Sequence, residues 1–200
     1  MSNDQNSEIQ PQEDSTPHKV TLQKDLFPTK LTVVERASAA DLNQKLLDLM
    51  NKLYEEGYTG ELFDYDDPLI DDLKEEVFSI CSHLNGFGFE ESYPRIIKSQ
   101  TLFQQQLEHI PAHSYEFAPV VLTFVLANPE RTPFTYFIDP RGGIQAVRTL
   151  TNQNLVNCSY GLSAKENEVL ATPGHLVRYT ETNLNQGSYV LLNVLVGFVN

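Results

Sequence analysis

Two apolar stretches in the C-terminal half decide the fold: PVVLTFVLA at residues 119–127 and YVLLNVLVGFV at residues 189–199. Around and between them lie shorter runs rich in β-branched and aromatic residues, separated by Asn-Pro, Pro-Arg-Gly-Gly and Pro-Gly breaks. Short strands with turn residues between them predict an antiparallel sandwich or barrel. The last stretch is so apolar that we expect it to be buried on both faces or covered by a neighbouring chain. The shorter runs lie at residues 134–138, 143–150, 154–160 and 166–180.

Two amphipathic helices are predicted before this β-rich part, at about residues 38–56 and 67–85. Leucines recur at helical spacing in the first, and Asp67-Pro68 is typical of a helix start, with an N-cap followed by proline in the first turn. We therefore predict an α+β, mainly β, fold in which both helices pack on one sheet of a jelly-roll-like core that is β-rich from residue 93.

Residues 1–17 differ from the rest, because Asn, Gln, Ser, Asp, Glu and Pro dominate there. This composition predicts an arm that is either disordered or ordered against a partner. The remaining residues, 18–200, are predicted to form one jelly-roll domain, since 200 residues are enough for one core and an arm.

The charge balance narrows the function classes. Lys and Arg number 14 against 27 Asp and Glu, which gives a formal net charge of -13. Such a surface repels phosphate backbones and anionic lipids, so we expect neither nucleic acid nor a membrane as a partner. The polar N-terminus lacks the features of a secretory signal, which predicts a cytosolic protein.

Histidines are the candidate metal ligands. His109 and His113 lie close together in the sequence, and His175 lies far downstream. A jelly roll that brings two histidines and a carboxylate to one end can hold ferrous iron with open coordination positions. The other interpretation is that the His113 imidazole forms a hydrogen bond inside the mouth of the barrel.

Four segments resemble, in order, parts of the uncharacterised 2-oxoglutarate/Fe(II) oxygenase-like proteins of bacteriophages and marine bacteria. This resemblance covers about residues 22–200 and implies a double-stranded β-helix, also called a jelly roll. The segments are LFPTKL (26–31), EHIPAHSYEFAPVVLTFVLANPERTPFTYFIDPRG (108–142), ATPGHLVRYTETN (171–183) and GSYVLLNVLVGFVN (187–200).

The chain departs from that family at the positions that carry its chemistry. The family's first metal motif has an acid or a histidine two places after the histidine, but here Tyr115 follows His113. No histidine follows His175, and Leu184 falls roughly where the second metal histidine is expected. The family pairs its cosubstrate with a basic residue on the last strand, but no Arg or Lys follows Arg178.

From these departures we predict no catalytic and no cofactor-binding residues. If a metal site is retained, His113 and His175 are its predicted ligands, with Glu116 or Asp139 as the carboxylate.

The function predicted from the sequence is that of a non-catalytic structural or interaction protein without a cofactor. It would be a bacteriophage virion component (tail, neck or capsid-associated), located in the virion or the host cytoplasm. Its partners would be other proteins, either subunits of a larger assembly or copies of itself. The alternative is an active Fe(II)/2-oxoglutarate-dependent dioxygenase acting as a hydroxylase, and a further one is a cupin-like binder of a small ligand.

Overall fold

The secondary structure comes from a computed structural model that describes residues 18–26, 29–36, 39–84, 87, 92–128, 132–138 and 159–199. The predicted arm at residues 1–17, and most of the runs at 143–150 and 154–160, lie outside the described residues. Within those ranges the helices are α1 (Ala39–Glu55) and α2 (Pro68–Ser82), with a short 3-10 helix (Leu62–Asp64) between them. The strands are β1 (His18–Leu26), β2 (Thr29–Arg36), β3 (Tyr93–Gln104), β4 (Ile110–His113), β5 (Val120–Ala127), β6 (Thr135–Ile138), β7 (Ser159–Leu162), β8 (Glu168–Pro173), β9 (Val177–Thr180) and β10 (Tyr189–Val199).

The strands form two sheets that face each other. In the described ranges, one sheet has six strands in the order β1-β2-β8-β5-β10-β3, and the other has four in the order β4-β9-β6-β7. Their strand pairs are antiparallel. Val125 and Leu191 of the six-stranded sheet share a buried cluster with Ile110 and Phe137 of the four-stranded sheet. The predicted mainly β jelly roll is confirmed.

The two apolar stretches are strands β5 and β10, which pair with each other inside the six-stranded sheet. Alternate residues of β10, such as Leu192 and Val194, pack on the helix side, whereas Leu191 and Leu195 face the other sheet. A strand covered on both faces needs apolar side chains at nearly every position. Burial of β10 on both faces is therefore supplied by the chain itself.

Both helices cover the outer face of the six-stranded sheet. Their apolar stripes share one buried cluster with alternate residues of β5, β8 and β10. The Asp67 side chain caps α2, because its Oδ1 accepts a 2.8 Å hydrogen bond from the Leu69 N–H. The predicted packing of two helices on one sheet is confirmed. Neither helix in the described ranges is long and apolar enough to span a membrane. The stripes consist of Leu46, Leu49 and Leu53 in α1 and Ile70, Leu73, Val77 and Ile80 in α2.

Arg36 at the end of β2 joins the sheet to both helices. Its guanidinium donates from Nε and Nη2 to the two carboxylate oxygens of Glu76 in α2, at 2.7 and 2.9 Å. Its Nη1 donates at 2.6 Å to Asn43 of α1. The Asn43 amide in turn donates to the carbonyl oxygens of Val125 and Glu166 at 3.0 and 2.9 Å. This buried network fixes where both helices sit on the sheet.

Candidate functional site

The candidate site lies between the sheets, at the end where β4 finishes. His113, the last residue of β4, is paired directly with Arg178 of β9, and Arg178 is paired on its other side with Phe137 of β6. Directly opposed residues in antiparallel strands project from the same face of the sheet. His113, Arg178 and Phe137 thus form a row across the inner face of the four-stranded sheet.

A second row, made of polar side chains, crosses the inner face of the six-stranded sheet. Asn193 of β10 is paired with Gln100 of β3 and with Thr123 of β5. Thr123 Oγ1 donates a 2.6 Å hydrogen bond to Asn193 Oδ1, and both residues are buried. Asn193 interrupts the otherwise apolar run Tyr189–Val196, so its amide needs partners in this interior.

Tyr115 connects the two rows. Its hydroxyl donates to Gln100 Oε1 at 2.7 Å and accepts from Asn193 Nδ2 at 3.0 Å. Its ring meets the His113 ring edge to face, with centroids 5.3 Å apart. Burial is the main cause that raises the pKa of the Tyr115 phenol, so the hydroxyl stays protonated at neutral pH and can donate.

The Pro-Gly turn between β8 and β9 holds Tyr115 in place. The Tyr115 N–H donates to the Gly174 carbonyl oxygen at 2.8 Å. A Cβ at Gly174 would overlap the carbonyl oxygens of Tyr115 and Ala118. Only glycine allows the two backbone segments to approach this closely. The turn that follows β8 is therefore locked against the segment that follows β4.

Arg178 is a buried cation without a counter-charge among the described residues. Only 3% of its surface is exposed, and its Nε and Nη1 have no hydrogen-bond partner within the described ranges. Its Nη2 donates to the Pro173 carbonyl oxygen at 3.3 Å. The guanidinium carbon lies 5.1 Å from the ring centroid of Tyr115 and 5.8 Å from that of Phe137. Burial lowers the Arg178 pKa to about 10, so the side chain remains positive at neutral pH.

His113 presents one nitrogen that accepts hydrogen bonds. Its Nδ1 lies 2.8 Å from the Pro111 carbonyl oxygen, which can only accept, so Nδ1 carries the proton. Its Nε2 is buried and has no hydrogen-bond partner within the described part of the chain. Burial lowers the His113 pKa, and the Arg178 charge lowers it further, so the imidazole is neutral at neutral pH.

The other residues predicted for a metal site are placed differently. His175 lies in the turn between β8 and β9, directly after Gly174, at the same end of the sandwich as His113. The side chain of Glu116 is exposed, and that of Leu184 is 64% exposed in the loop after β9. Asp139 lies outside the described residues. The structure thus places Arg178 opposite His113, whereas Leu184, the rough position of the family's second metal histidine, lies in an exposed loop.

A divalent metal fits these donors poorly. The described residues contain no group of three or more His, Cys, Asp or Glu side chains that could hold a metal ion. Ferrous sites of this kind use two histidines and a carboxylate, whereas the described neighbours of the His113 ring are a phenol and a guanidinium. The described donor set does not fit a ferrous ion, and metal binding by His113 and His175 stays a prediction.

Sequence reasoning missed Arg178 as a site residue. Arg178 and Thr180 are the buried residues of β9, and Leu176 just before the strand is buried as well, so the arginine takes an inward position that only the structure shows. A charged residue at such a position is rare without a partner.

Comparisons with known proteins place the fold. The chain matches no protein-family model and no curated protein sequence. Its structure is similar to the non-heme alpha-ketoglutarate-dependent carbocyclase SnoK from nogalamycin biosynthesis, with a TM-score of 0.60 and 11% identity over 83% of this chain and 78% of that one. It is also similar to HygX from Streptomyces hygroscopicus, solved with nickel and 2-oxoglutarate bound, with a TM-score of 0.59 and 12% identity over 84% and 81% of the two chains.

A Pseudomonas putida prolyl-4-hydroxylase is a third similar structure, with a TM-score of 0.54 and 10% identity over 86% of this chain and 89% of that one. Identities this low establish the architecture and no activity. The chain therefore has the double-stranded β-helix fold of the Fe(II)/2-oxoglutarate-dependent oxygenases.

Proposed function

We propose that the protein is a non-catalytic structural or interaction protein built on an oxygenase-like jelly roll. The observation that carries the proposal is the buried guanidinium of Arg178 directly opposite His113. A divalent cation bound to His113 would lie beside this positive charge in a low-dielectric interior, where like charges repel strongly. Such repulsion disfavours iron at the place where an oxygenase mechanism would need it.

An exposed strand edge supports contact with other proteins. Among the described strands, β3 is an edge of the six-stranded sheet, and its side chains Tyr93, Ile97 and Phe103 are 81%, 44% and 56% exposed. Beside Phe103, an apolar groove is lined by Met50 and Tyr54 of α1. Exposed edges with apolar side chains favour pairing with another chain.

The proposed partners are subunits of a larger assembly or further copies of this chain. Because the sequence resembles bacteriophage proteins, we propose more specifically that the protein is a virion component (tail, neck or capsid-associated). In that case the protein would occur in the virion or the host cytoplasm.

The proposal is tested by metal analysis, turnover and sizing on one purified sample. We expect no stoichiometric iron after anaerobic loading, no succinate from 2-oxoglutarate and oxygen, and an oligomer that dissociates when Ile97 and Phe103 are changed to lysine. Stoichiometric iron and succinate formation that are lost in His113→Ala would overturn it. The exposed His109→Ala is the matched control, because it removes a nearby imidazole that lies on the surface.

The second candidate is the Fe(II)/2-oxoglutarate-dependent hydroxylase. The Nε2 atom of His113 favours it, because this neutral, buried imidazole nitrogen at the end of β4 has no hydrogen-bond partner among the described residues and is a competent metal ligand. This candidate needs ligands beyond the described residues. The same turnover assay decides between the two functions.

A further inference from the structure

Between the sheets, at the end where β4 finishes, buried hydrogen-bond donors and a buried hydrogen-bond acceptor lie close together. Nε and Nη1 of Arg178 are donors without an acceptor, and Nε2 of His113 is an acceptor without a donor, in the part of the chain described. Buried polar groups without partners cost stability, and an unpaired buried charge costs more. The two residues are directly opposed on β9 and β4, so their side chains lie next to each other on the same face of the sheet.

We propose that Arg178 and His113 form a metal-independent binding site for a small 2-hydroxycarboxylate. The carboxylate accepts from the Arg178 guanidinium, and the neighbouring hydroxyl group donates to His113 Nε2. This proposal goes beyond the proposed function, because a ligand at this site requires neither iron nor assembly.

The arrangement around Arg178 favours a carboxylate. The guanidinium carbon lies 5.1 Å from the ring centroid of Tyr115 and 5.8 Å from that of Phe137, which are distances typical of cation–π contacts. The N–H groups of a guanidinium lie in its plane and match the oxygens of a carboxylate. In the described ranges no acidic side chain forms an ion pair with Arg178, so a bound carboxylate would supply a counter-charge that these residues do not.

The arrangement around His113 requires a hydrogen-bond donor on the ligand. The Pro111 carbonyl fixes the proton on Nδ1, so Nε2 offers a lone pair. A simple carboxylate has no O–H group for this nitrogen at neutral pH, whereas a 2-hydroxycarboxylate has one next to its anionic group. The site should therefore prefer a hydroxy acid to the plain acid of the same length.

The site lies near solvent. Gln100, which accepts from the Tyr115 hydroxyl, has an exposed side chain, and His113 is half-buried. A ligand of a few heavy atoms would approach from this side, next to a hydroxyl group whose orientation is already fixed by Gln100 and Asn193. Larger anions are disfavoured by the 3% exposure of Arg178.

Titration calorimetry on the full-length protein tests the site, with glycolate, acetate, phosphate and chloride as sodium salts at constant ionic strength. We expect saturable binding of glycolate in the absence of metal, and binding of acetate that is about 10-fold weaker because one hydrogen bond is lost. Binding of glycolate that is no tighter than that of acetate or phosphate, or no binding of glycolate, would overturn the proposal.

Two variants separate the roles of the residues. Arg178→Met should weaken glycolate by about 100-fold, because a charged hydrogen-bond donor is lost. His113→Phe should remove the preference for glycolate over acetate while acetate still binds. Arg95→Met, which removes an exposed arginine of β3, is the matched control and should bind as the unchanged protein does. Unchanged glycolate affinity in Arg178→Met would refute the site, and thermal unfolding of the same samples shows whether each variant is folded.

Discussion

Two arginines in this protein are equally buried but differ in their hydrogen-bond and ion-pair partners. Arg36 and Arg178 are each 3% exposed, and each guanidinium carbon lies 5.1 Å from an aromatic centroid, that of Phe124 or Tyr115. Arg36 is held by the Glu76 carboxylate and by an amide. Arg178 has one long hydrogen bond, to a backbone carbonyl, and no ion pair with the described acidic residues.

This difference in partners means that the charge of Arg36 stabilises the fold, whereas the charge of Arg178 is buried without a comparable gain in stability. Around Arg36 the donors meet acceptors from two helices, so the network fixes the helix layer on the sheet. Around Arg178 the neighbours are aromatic rings, which compensate a positive charge only in part. Among the described residues, the buried arginine on the helix side of the six-stranded sheet therefore has its counter-charge, whereas the buried arginine between the sheets does not.

The largest expected effect is at Arg36. Arg36→Met should lower the free energy of unfolding by about 3 to 5 kcal/mol, because it leaves the Glu76 carboxylate and the Asn43 amide oxygen without their donor. Urea unfolding followed by circular dichroism measures it. The double variant Arg36→Met/Glu76→Met should recover much of the loss, since no charge is then left unpaired. A single variant as stable as the unchanged protein would show that the network does not hold the helices.

The next largest effect is expected in the polar row between the sheets. Asn193→Leu should lower the free energy of unfolding by about 2 kcal/mol, because Thr123 and Tyr115 each lose a buried hydrogen-bond partner. Tyr115→Phe is the companion variant. The double variant should lose less free energy of unfolding than the two single variants lose together. Fully additive losses in urea unfolding would contradict the hydrogen bond between Asn193 and Tyr115.

A smaller effect is expected when Arg178 is replaced. Arg178→Met should change the free energy of unfolding by less than about 1 kcal/mol or raise it, because an unpaired buried charge is exchanged for an apolar chain of similar length. The exposed Arg95→Met serves as control and should leave stability unchanged. A loss of unfolding free energy as large as that of Arg36→Met would mean that Arg178 is paired in solution. The two arginines would then not differ in the way described.

The smallest effect concerns the reactivity of a buried thiol. Cys81 lies in the core cluster under the helices, and burial raises the pKa of its thiol to about 12, so little thiolate exists at pH 8. In a Cys158→Ser background, a thiol reagent should label Cys81 no faster than the core around Cys81 unfolds locally or globally. Arg36→Met should accelerate labelling and Arg178→Met should not. Fast labelling of the unchanged core would contradict the burial of Cys81.

Local signals predicted the elements well. The Asp67-Pro68 start of α2 is observed as an N-cap, and the apolar stripes of both helices face the sheet, because capping and helical spacing involve neighbouring residues only. The order of the β-rich runs was enough to predict a jelly roll. Burial of β10 between β5 and β3 follows from its apolar residues at successive positions.

The site was predicted only in part. The sequence singled out His113, either as a metal ligand or as a hydrogen-bonded residue of the barrel mouth, but it did not single out Arg178, which lies opposite His113. The pairing of His113 with Arg178 joins residues far apart in the sequence, and a shift of one residue in register moves a side chain to the other face. No pattern among neighbouring residues in the sequence predicts which residues of two distant strands are paired.

The sequence by itself determined which segments become helices or strands and which faces are apolar, because these depend on periods of two and 3.6 residues and on caps. Only the tertiary structure decided that one arginine meets a carboxylate and the other meets two aromatic rings. The physical reason is that the environment of a buried charge is set by side chains brought together from distant strands. The chemistry of the interior therefore depends on strand register.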